Sequence, residues 1–103
     1  MKFICSKDFT GSRAWESLTV AVFDNTSVKL HWTDQPYKWH VNDGQEVFAV
    51  MDGIVDMNYK ENGVVKSKTL HTGDIFYAST GTEHIAHPRG VARILVIEKE
   101  GSV

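Results

Sequence analysis

Turn-forming residues divide this chain into short segments, and their spacing is the feature that most constrains its fold. Turn signals stand at Asn42-Asp43-Gly44, Asp52-Gly53, Asn62-Gly63, Thr72-Gly73-Asp74 and Ser79-Thr80-Gly81. Asn, Asp and Gly tolerate the positive φ angles of tight turns, so the last four are interpreted as hairpin turns. Apolar and polar residues alternate in the runs between them, which favours strands spaced roughly every 8–12 residues. The pattern predicts an all-β fold, an antiparallel sandwich or β-barrel of the jelly-roll kind.

Two further strands are predicted ahead of those turns, over residues 18–23 and 28–32. Side chains two positions apart share one face of a strand, so Val28, Leu30 and Trp32 are expected to lie together. His31 falls on the opposite face and is expected at the surface or as an ordinary sheet residue. A turn of helix is considered only between Asp8 and Ser17.

The length of 103 residues, with no linker or low-complexity segment, predicts a single domain over residues 1–103. A net charge of −2 offers no electrostatic footprint for nucleic acid. The longest apolar run, Val47 to Met51, is too short to cross a membrane, and the first residues lack the apolar core of a signal peptide. We therefore expect a cytoplasmic protein with neither a nucleic-acid nor a membrane partner. Small domains bury limited surface, which favours a homodimer.

Two imidazoles and a carboxylate form the candidate site. His40 and Asn42 lie two residues apart on one strand face, and Glu46 opens the next strand in step with Phe48 and Val50. If those apolar residues are in the core, the Glu46 carboxylate faces the interior, where it needs a proton, a partner or a metal ion. Together with the more distant His84, this set can hold a divalent metal with positions open for substrate.

The chain resembles the cupin family in two segments. Trp39 to Gly53 is similar to the first conserved motif of the cupins, and Gly73 to His84 is similar to the second. The resemblance covers about residues 28–98 and implies a small single-domain cupin, an antiparallel β-barrel that commonly dimerises. The family's motifs supply three histidines and a glutamate to a divalent metal, which implies His40, Glu46 and His84 as ligands here. Fe, Mn, Ni and Zn are the candidate ions.

Two positions depart from the family pattern. Asn42 stands where the first motif has its second histidine, and Ser79 stands where a proline is common. An amide oxygen is a harder and weaker donor than imidazole. Asn42 is therefore expected either to be a weak metal ligand or to bind substrate or water.

Three further residues are candidates for substrate binding. Tyr77 carries a phenol that could donate a hydrogen bond to a bound substrate, and Trp39 could form an apolar wall. His87 lies three residues beyond His84, so on a regular strand it would face the other way, and the alternative for it is an ordinary loop residue before Pro88. For the two aromatic residues the alternative is core filling.

Two functions of different classes follow. The first is an enzyme in which the metal polarises a small oxygen-bearing molecule, for isomerase or lyase chemistry on a sugar acid, or activates oxygen if the ion is iron. The second is a non-catalytic module that binds a small molecule or senses a metal, and Asn42 in a ligand position favours it. A structural dimer with a vestigial pocket is the third possibility.

Overall fold

The computed structural model describes residues 1–102, and strands account for most of them. A short 3-10 turn at Ser6–Asp8 precedes nine strands. The strands are β1 (Glu16–Phe23), β2 (Thr26–Thr33), β3 (His40–Val41), β4 (Glu46–Asp52), β5 (Val55–Glu61), β6 (Val64–Leu70), β7 (Ile75–Ala78), β8 (Glu83–Pro88) and β9 (Ala92–Lys99).

The strands form two antiparallel sheets. One has five strands in the order β1-β2-β9-β4-β7, and the other has four in the order β3-β8-β5-β6. Every pairing is antiparallel. The predicted all-β antiparallel class is therefore confirmed.

Hairpins occur at two of the short turns. Asp24 and Asn25 have φ angles of 49° and 60°, and Asn62 and Gly63 have φ angles of 53° and 75°. Two central residues with positive φ are typical of the type I′ turn, whose twist matches that of paired strands. These turns join β1 to β2 and β5 to β6.

The three other turns interpreted as hairpins are not hairpins. Asp52-Gly53, Thr72-Gly73-Asp74 and Ser79-Thr80-Gly81 each carry the chain from one sheet to the other. A turn residue permits the chain to reverse but does not select the strand that receives the hydrogen bonds. At Gly53, φ is 93° and an added Cβ would lie 2.6 Å from the carbonyl oxygen of Val91, so this crossing needs glycine.

The core lies between the sheets. Its buried members include Phe48, Val50, Val55, Met57, Leu70, Ala86, Ala92, Ile94 and Val96. Phe48 and Val50 are 3% and 1% exposed, and Glu46, in step with them on β4, is 7% exposed. The prediction that the Glu46 carboxylate faces the interior is confirmed.

The inner face of β2 differs from the sequence expectation. The cavity between the sheets is lined by Ser27, Lys29 and His31 rather than by the apolar side chains of the alternate face. In the register with β9, Lys29 lies opposite Val96, and His31 lies opposite Ile94. Periodicity shows that a strand has two faces but does not show which one is turned inward.

The N-terminal segment covers part of the outer face of the five-stranded sheet. The Arg93 guanidinium on β9 donates to the carbonyl oxygen of Phe9 at 2.8 Å and to the hydroxyl of Thr10 at 3.1 Å. An added Cβ at Gly11 would lie 2.9 Å from the indole of Trp32. The N-terminal segment thus covers apolar side chains on the outer face of β2. The inner face of the same strand can therefore carry the polar side chains that line the cavity.

Within residues 1–102, the structure has no helix long and apolar enough to span a bilayer.

Candidate metal centre

Three side chains converge from three strands and both sheets. His40 on β3 and His84 on β8 are cross-strand partners, with ring centroids 4.2 Å apart. Glu46 reaches the same point from β4 of the facing sheet. One donor atom from each of the three lies within 4.8 Å of the other two. These residues are far apart in the sequence. The pairing of β3 with β8 brings the two histidines together, and the stacking of the two sheets brings Glu46 to them.

Backbone carbonyl groups orient both imidazoles. The Nδ1 atom of His40 lies 3.0 Å from the carbonyl oxygen of Lys38, and Nδ1 of His84 lies 3.3 Å from that of Thr82. A carbonyl oxygen only accepts, so the tautomer that makes these two contacts carries its hydrogen on Nδ1 and donates it. This leaves Nε2 of each ring as the atom with a free lone pair. Histidines that bind metals are commonly held in this way.

The contact between His84 and Glu46 tests whether a cation fits. Nε2 of His84 lies 3.1 Å from Oε1 of Glu46, and the two residues are 1% and 7% exposed. A neutral His84 that donates from Nδ1 would turn its Nε2 lone pair toward the carboxylate, whereas the other tautomer donates from Nε2 to Glu46. A hydrogen on Nε2, or a metal ion in its place, therefore holds the two atoms at this distance. The nitrogen and oxygen donors fit a divalent ion.

Asn42 follows β3 and is 8% exposed. Its side-chain Nδ2 donates to the carbonyl oxygen of Ala78 over a long 3.5 Å. Its backbone amide donates to Thr82, and its carbonyl accepts from Gly81, so Asn42 ties the two motif segments together. The role of Asn42 as a metal ligand stays a prediction.

The cavity that contains the three donors has a volume of about 150 Å³. Besides the donors, Trp15, Tyr37 and Phe48 form aromatic walls. Ser27 and Lys29 add polar groups from β2, and Gly101 and Ser102 also line the cavity. The cavity thus combines apolar walls with a few polar groups, as small-molecule sites do.

Burial changes the protonation of the histidines near the site. It lowers the pKa of His31, and it lowers the pKa of His40, where the nearby His84 acts in the same direction. Both rings are therefore neutral at neutral pH. A neutral imidazole is the form that binds a metal.

Glu98 is a second carboxylate beside Glu46. The two are cross-strand partners on β9 and β4, so their side chains share the inner face of the sheet. Burial, followed by the negative charge of Glu46, raises the pKa of Glu98 to about 7. The site therefore has two neighbouring carboxyl groups, and its environment favours the protonated form of Glu98 more than that of an ordinary glutamate.

The three predicted substrate-binding residues lie outside the lining of the 150 Å³ cavity within the described chain. Trp39 is 43% exposed, and the Lys60 ammonium lies 5.3 Å from its ring centroid. Tyr77 is 55% exposed, and its hydroxyl donates to Oε1 of Gln45 at 2.7 Å. His87 is the cross-strand partner of Asp56, at the opposite parity from His84 on β8. Substrate binding by these residues stays a prediction.

Sequence reasoning did not place Trp15, Lys29 or Glu98 in the cavity, and it expected His31 at the surface or as an ordinary sheet residue; all four line the cavity. A signal existed for Glu98, because it continues the two-residue period of the buried Ala92, Ile94 and Val96. Trp15 and Tyr37 lie outside the strands, so strand periodicity carries no information on where their side chains point.

No protein-family model matches the sequence, and no curated protein is significantly similar to it. Solved structures do match. A cupin-2 domain protein from Shewanella frigidimarina is 24% identical, with 87% of this chain and 85% of that chain covered and a TM-score of 0.76. A cupin superfamily protein from Desulfitobacterium hafniense is 12% identical, with 92% and 86% covered and a TM-score of 0.78.

A larger protein shares the same fold over part of its length. Hydroxypropylphosphonic acid epoxidase from S. wedmorenis is 16% identical, with 72% of this chain and 43% of that chain covered and a TM-score of 0.64. Its cobalt(II) form in complex with substrate matches at a TM-score of 0.63. These likenesses establish that the chain has the fold of the small cupins.

Proposed function

We propose that this protein is a small, single-domain cupin that binds one divalent metal ion through Nε2 of His40, a carboxylate oxygen of Glu46 and Nε2 of His84. The observation that carries the proposal is the convergence of three buried or half-buried donors within 4.8 Å, with both rings held by backbone carbonyls. A cobalt(II) form of a protein with the same fold lends support. Fe, Mn, Ni and Zn are the proposed ions.

The cavity beside the three donors is proposed to hold a small oxygen-bearing molecule. A bound divalent ion would act as a Lewis acid toward an oxygen of that molecule or, if redox-active, would support oxidation. Trp15, Tyr37 and Phe48 would form apolar walls against this molecule, and Ser27 and Lys29 would orient it. Isomerase or lyase chemistry and oxygenase chemistry are both compatible with this arrangement.

A non-catalytic module that binds a small molecule or senses a metal is the second candidate. Asn42 in the position of the family's second histidine favours it, because an amide oxygen is a weaker metal ligand than imidazole. Retention of the metal without turnover of oxygen or of small sugar acids would support this candidate over an enzyme.

Metal content of the purified protein tests the proposal. We expect about one equivalent of a transition metal per untagged wild-type chain, and much less in His84→Ala and Glu46→Gln, because each loses one of three ligands. His71→Ala removes an exposed histidine outside the cavity and is the matched control. Equal metal in all four proteins would overturn the site.

The remaining expectations are proposals about the whole protein. We propose a homodimer in the cytoplasm that has neither a nucleic-acid nor a membrane partner. Sedimentation equilibrium measures the oligomeric state directly, and a monomer at micromolar concentration would contradict the dimer.

A further inference from the structure

The outer face of the five-stranded sheet is apolar across its full width. Two cross-strand rows run over it from β1 through β2, β9 and β4 to β7. One row is Ala21, Val28, Ile97, Val47 and Tyr77. The next row is Leu18, Leu30, Leu95, Ala49 and Ile75. Neither row contains a charged residue, although a sheet face in contact with water normally carries polar side chains.

The chain itself covers only part of this outer face. The N-terminal segment packs against Arg93 and Trp32, which are cross-strand partners beside the second row, and Leu30 is buried. At the two borders of the face the side chains are open. Ile75 on β7 is 66% exposed, and Phe23, in step with Ala21 on β1, is 56% exposed. Large exposed apolar patches of this kind mark interaction surfaces.

The charges beside the two rows are already paired. Arg93 and Lys99 follow the same outward parity on β9 as the apolar residues between them. Nη1 of Arg93 donates to a carboxylate oxygen of Asp52 at 2.7 Å, and Nζ of Lys99 lies 3.9 Å from a carboxylate oxygen of Asp43. An occupant of this face is therefore recognised by apolar contact rather than by charge.

The size of the face suits a protein partner. At about 3.3 Å per residue and about 4.8 Å between neighbours, five strands of these lengths give a projected area of about 550 Å². Each partner in a standard protein complex buries about 800 Å². The relief of the side chains and the N-terminal segment on the face raise its accessible area toward that value. The face is therefore large enough to form a stable dimer.

The shape of the surface favours a second copy of this chain as the partner. Phe3 is 94% exposed and lies just before the turn at Ser6–Asp8, which packs beside β4. An open hollow on the outer side of the sheet is lined in part by Val47, Tyr77 and Ile97. A two-fold axis presents the same patch of both chains to each other. A surface with both an apolar projection and an apolar hollow is suited to such pairing with itself.

We propose that the outer face of the five-stranded sheet is the homodimer interface, in which two copies stack these faces about a two-fold axis and bury both apolar rows. The inference rests on the homodimer of the proposed function and names the surface that forms it. Glu46 belongs to the inner face of the same sheet, so the interface and the metal centre lie on opposite sides of it. Dimerisation and metal binding are therefore separable.

Charge substitutions at the two borders test the interface. Ile75→Glu and Phe23→Glu each place a carboxylate on the face, and the two-fold axis places two of them in every dimer. Burial of unpaired charges in an apolar interface is costly. We expect each variant to raise the dimer dissociation constant by about 100-fold or more. Sedimentation equilibrium over a range of protein concentrations is the measurement.

Val64→Glu is the matched control, because it introduces the same charge at a 56% exposed apolar position on β6 of the other sheet. It should dimerise as wild type does. All three variants should retain zinc as wild type does, since none of them alters the inner face. Hydroxyl-radical footprinting of wild type decides if the variants do not fold. Phe23 and Tyr77 should become less reactive on dimerisation, whereas Trp39, outside the face, should not.

The outcomes separate the interface from the proposals on which it rests. If both border variants dimerise as wild type does, or if Phe23 and Tyr77 react equally in monomer and dimer, the interface lies elsewhere and the homodimer stands. A monomeric wild type overturns the homodimer and the interface together. The zinc content of wild type decides the metal centre independently of either result.

Discussion

His84 and Glu46 define the chemistry of the site through one short contact. Nε2 of His84 faces a carboxylate oxygen at 3.1 Å while Nδ1 of the same ring is engaged with the carbonyl oxygen of Thr82. A hydrogen on Nε2, or a metal ion in its place, holds the two atoms at this distance. Two neighbours tune this environment: Asn42 stands where the cupin motif has a histidine, and Glu98 lies beside Glu46 on the sheet.

Replacement of Asn42 tests whether its side chain occupies a ligand position. We expect Asn42→His to slow the loss of metal to a chelator by roughly tenfold, because imidazole is a stronger ligand than an amide oxygen for these ions. The rate of metal transfer to EDTA is the measurement. Asn42→Ala is the control for lost packing, and an unchanged rate in Asn42→His would show that this side chain points elsewhere.

The four-stranded sheet carries a polar cluster that ties three of its segments together. Asp56 on β5 accepts from Arg89 Nε at 2.8 Å and Nη2 at 2.9 Å, and from the hydroxyl of Thr69 on β6 at 2.7 Å. Arg89 directly follows β8. These hydrogen bonds, led by those from Arg89, lower the pKa of Asp56 to about 2. The cluster therefore stabilises the sheet that carries His84.

Acid titration of stability tests this cluster. The folded-state pKa of Asp56 lies below its unfolded value near 3.9, so its stabilisation is complete above about pH 4 and is lost as the pH falls toward 2. For this partly exposed pair we expect Asp56→Asn to lower the free energy of unfolding by about 1 kcal/mol at pH 7. Urea unfolding at several pH values is the measurement.

The matched control for Asp56 is Asp34→Asn, which removes an exposed loop carboxylate. Its unfolding free energy should follow that of wild type throughout the pH range. The gap between Asp56→Asn and wild type should close near pH 2, and a gap of constant size would contradict the assignment to ionised Asp56.

The proposed metal centre joins the two sheets of the molecule. His40 and His84 belong to the four-stranded sheet, and Glu46 belongs to the five-stranded sheet. An ion bound by all three would link the sheets and would bind the folded chain in preference to the unfolded one. The stability of the whole protein should therefore depend on the concentration of free metal.

Calorimetric melting measures this linkage. At a free Zn(II) concentration about 100 times the dissociation constant, binding adds about 2.7 kcal/mol, which raises the Tm of a chain of this size by roughly 10 °C or more. His84→Ala should show little of this increase. An equal rise in both proteins would assign the stabilisation to zinc bound elsewhere.

Local sequence patterns were sufficient for the strands and for the type of side chain at the site. The alternation along residues 46–50 correctly placed Glu46 inside, because the strand period is a property of the backbone. Asn62-Gly63 correctly marked a hairpin, because both residues adopt positive φ. The spacing of His40, Glu46 and His84 identified three groups that do converge.

Long-range pairing decided the rest. Three turns with hairpin residues cross between the sheets instead, since a turn sets the direction of the chain and not its partner. The inward face of β2 depends on its register with β9 and on the N-terminal segment held by Arg93. Trp15 reaches the cavity from a loop, where no period applies. Sequence patterns specify each strand, whereas burial depends on segments far apart in the chain, which only the folded molecule brings together.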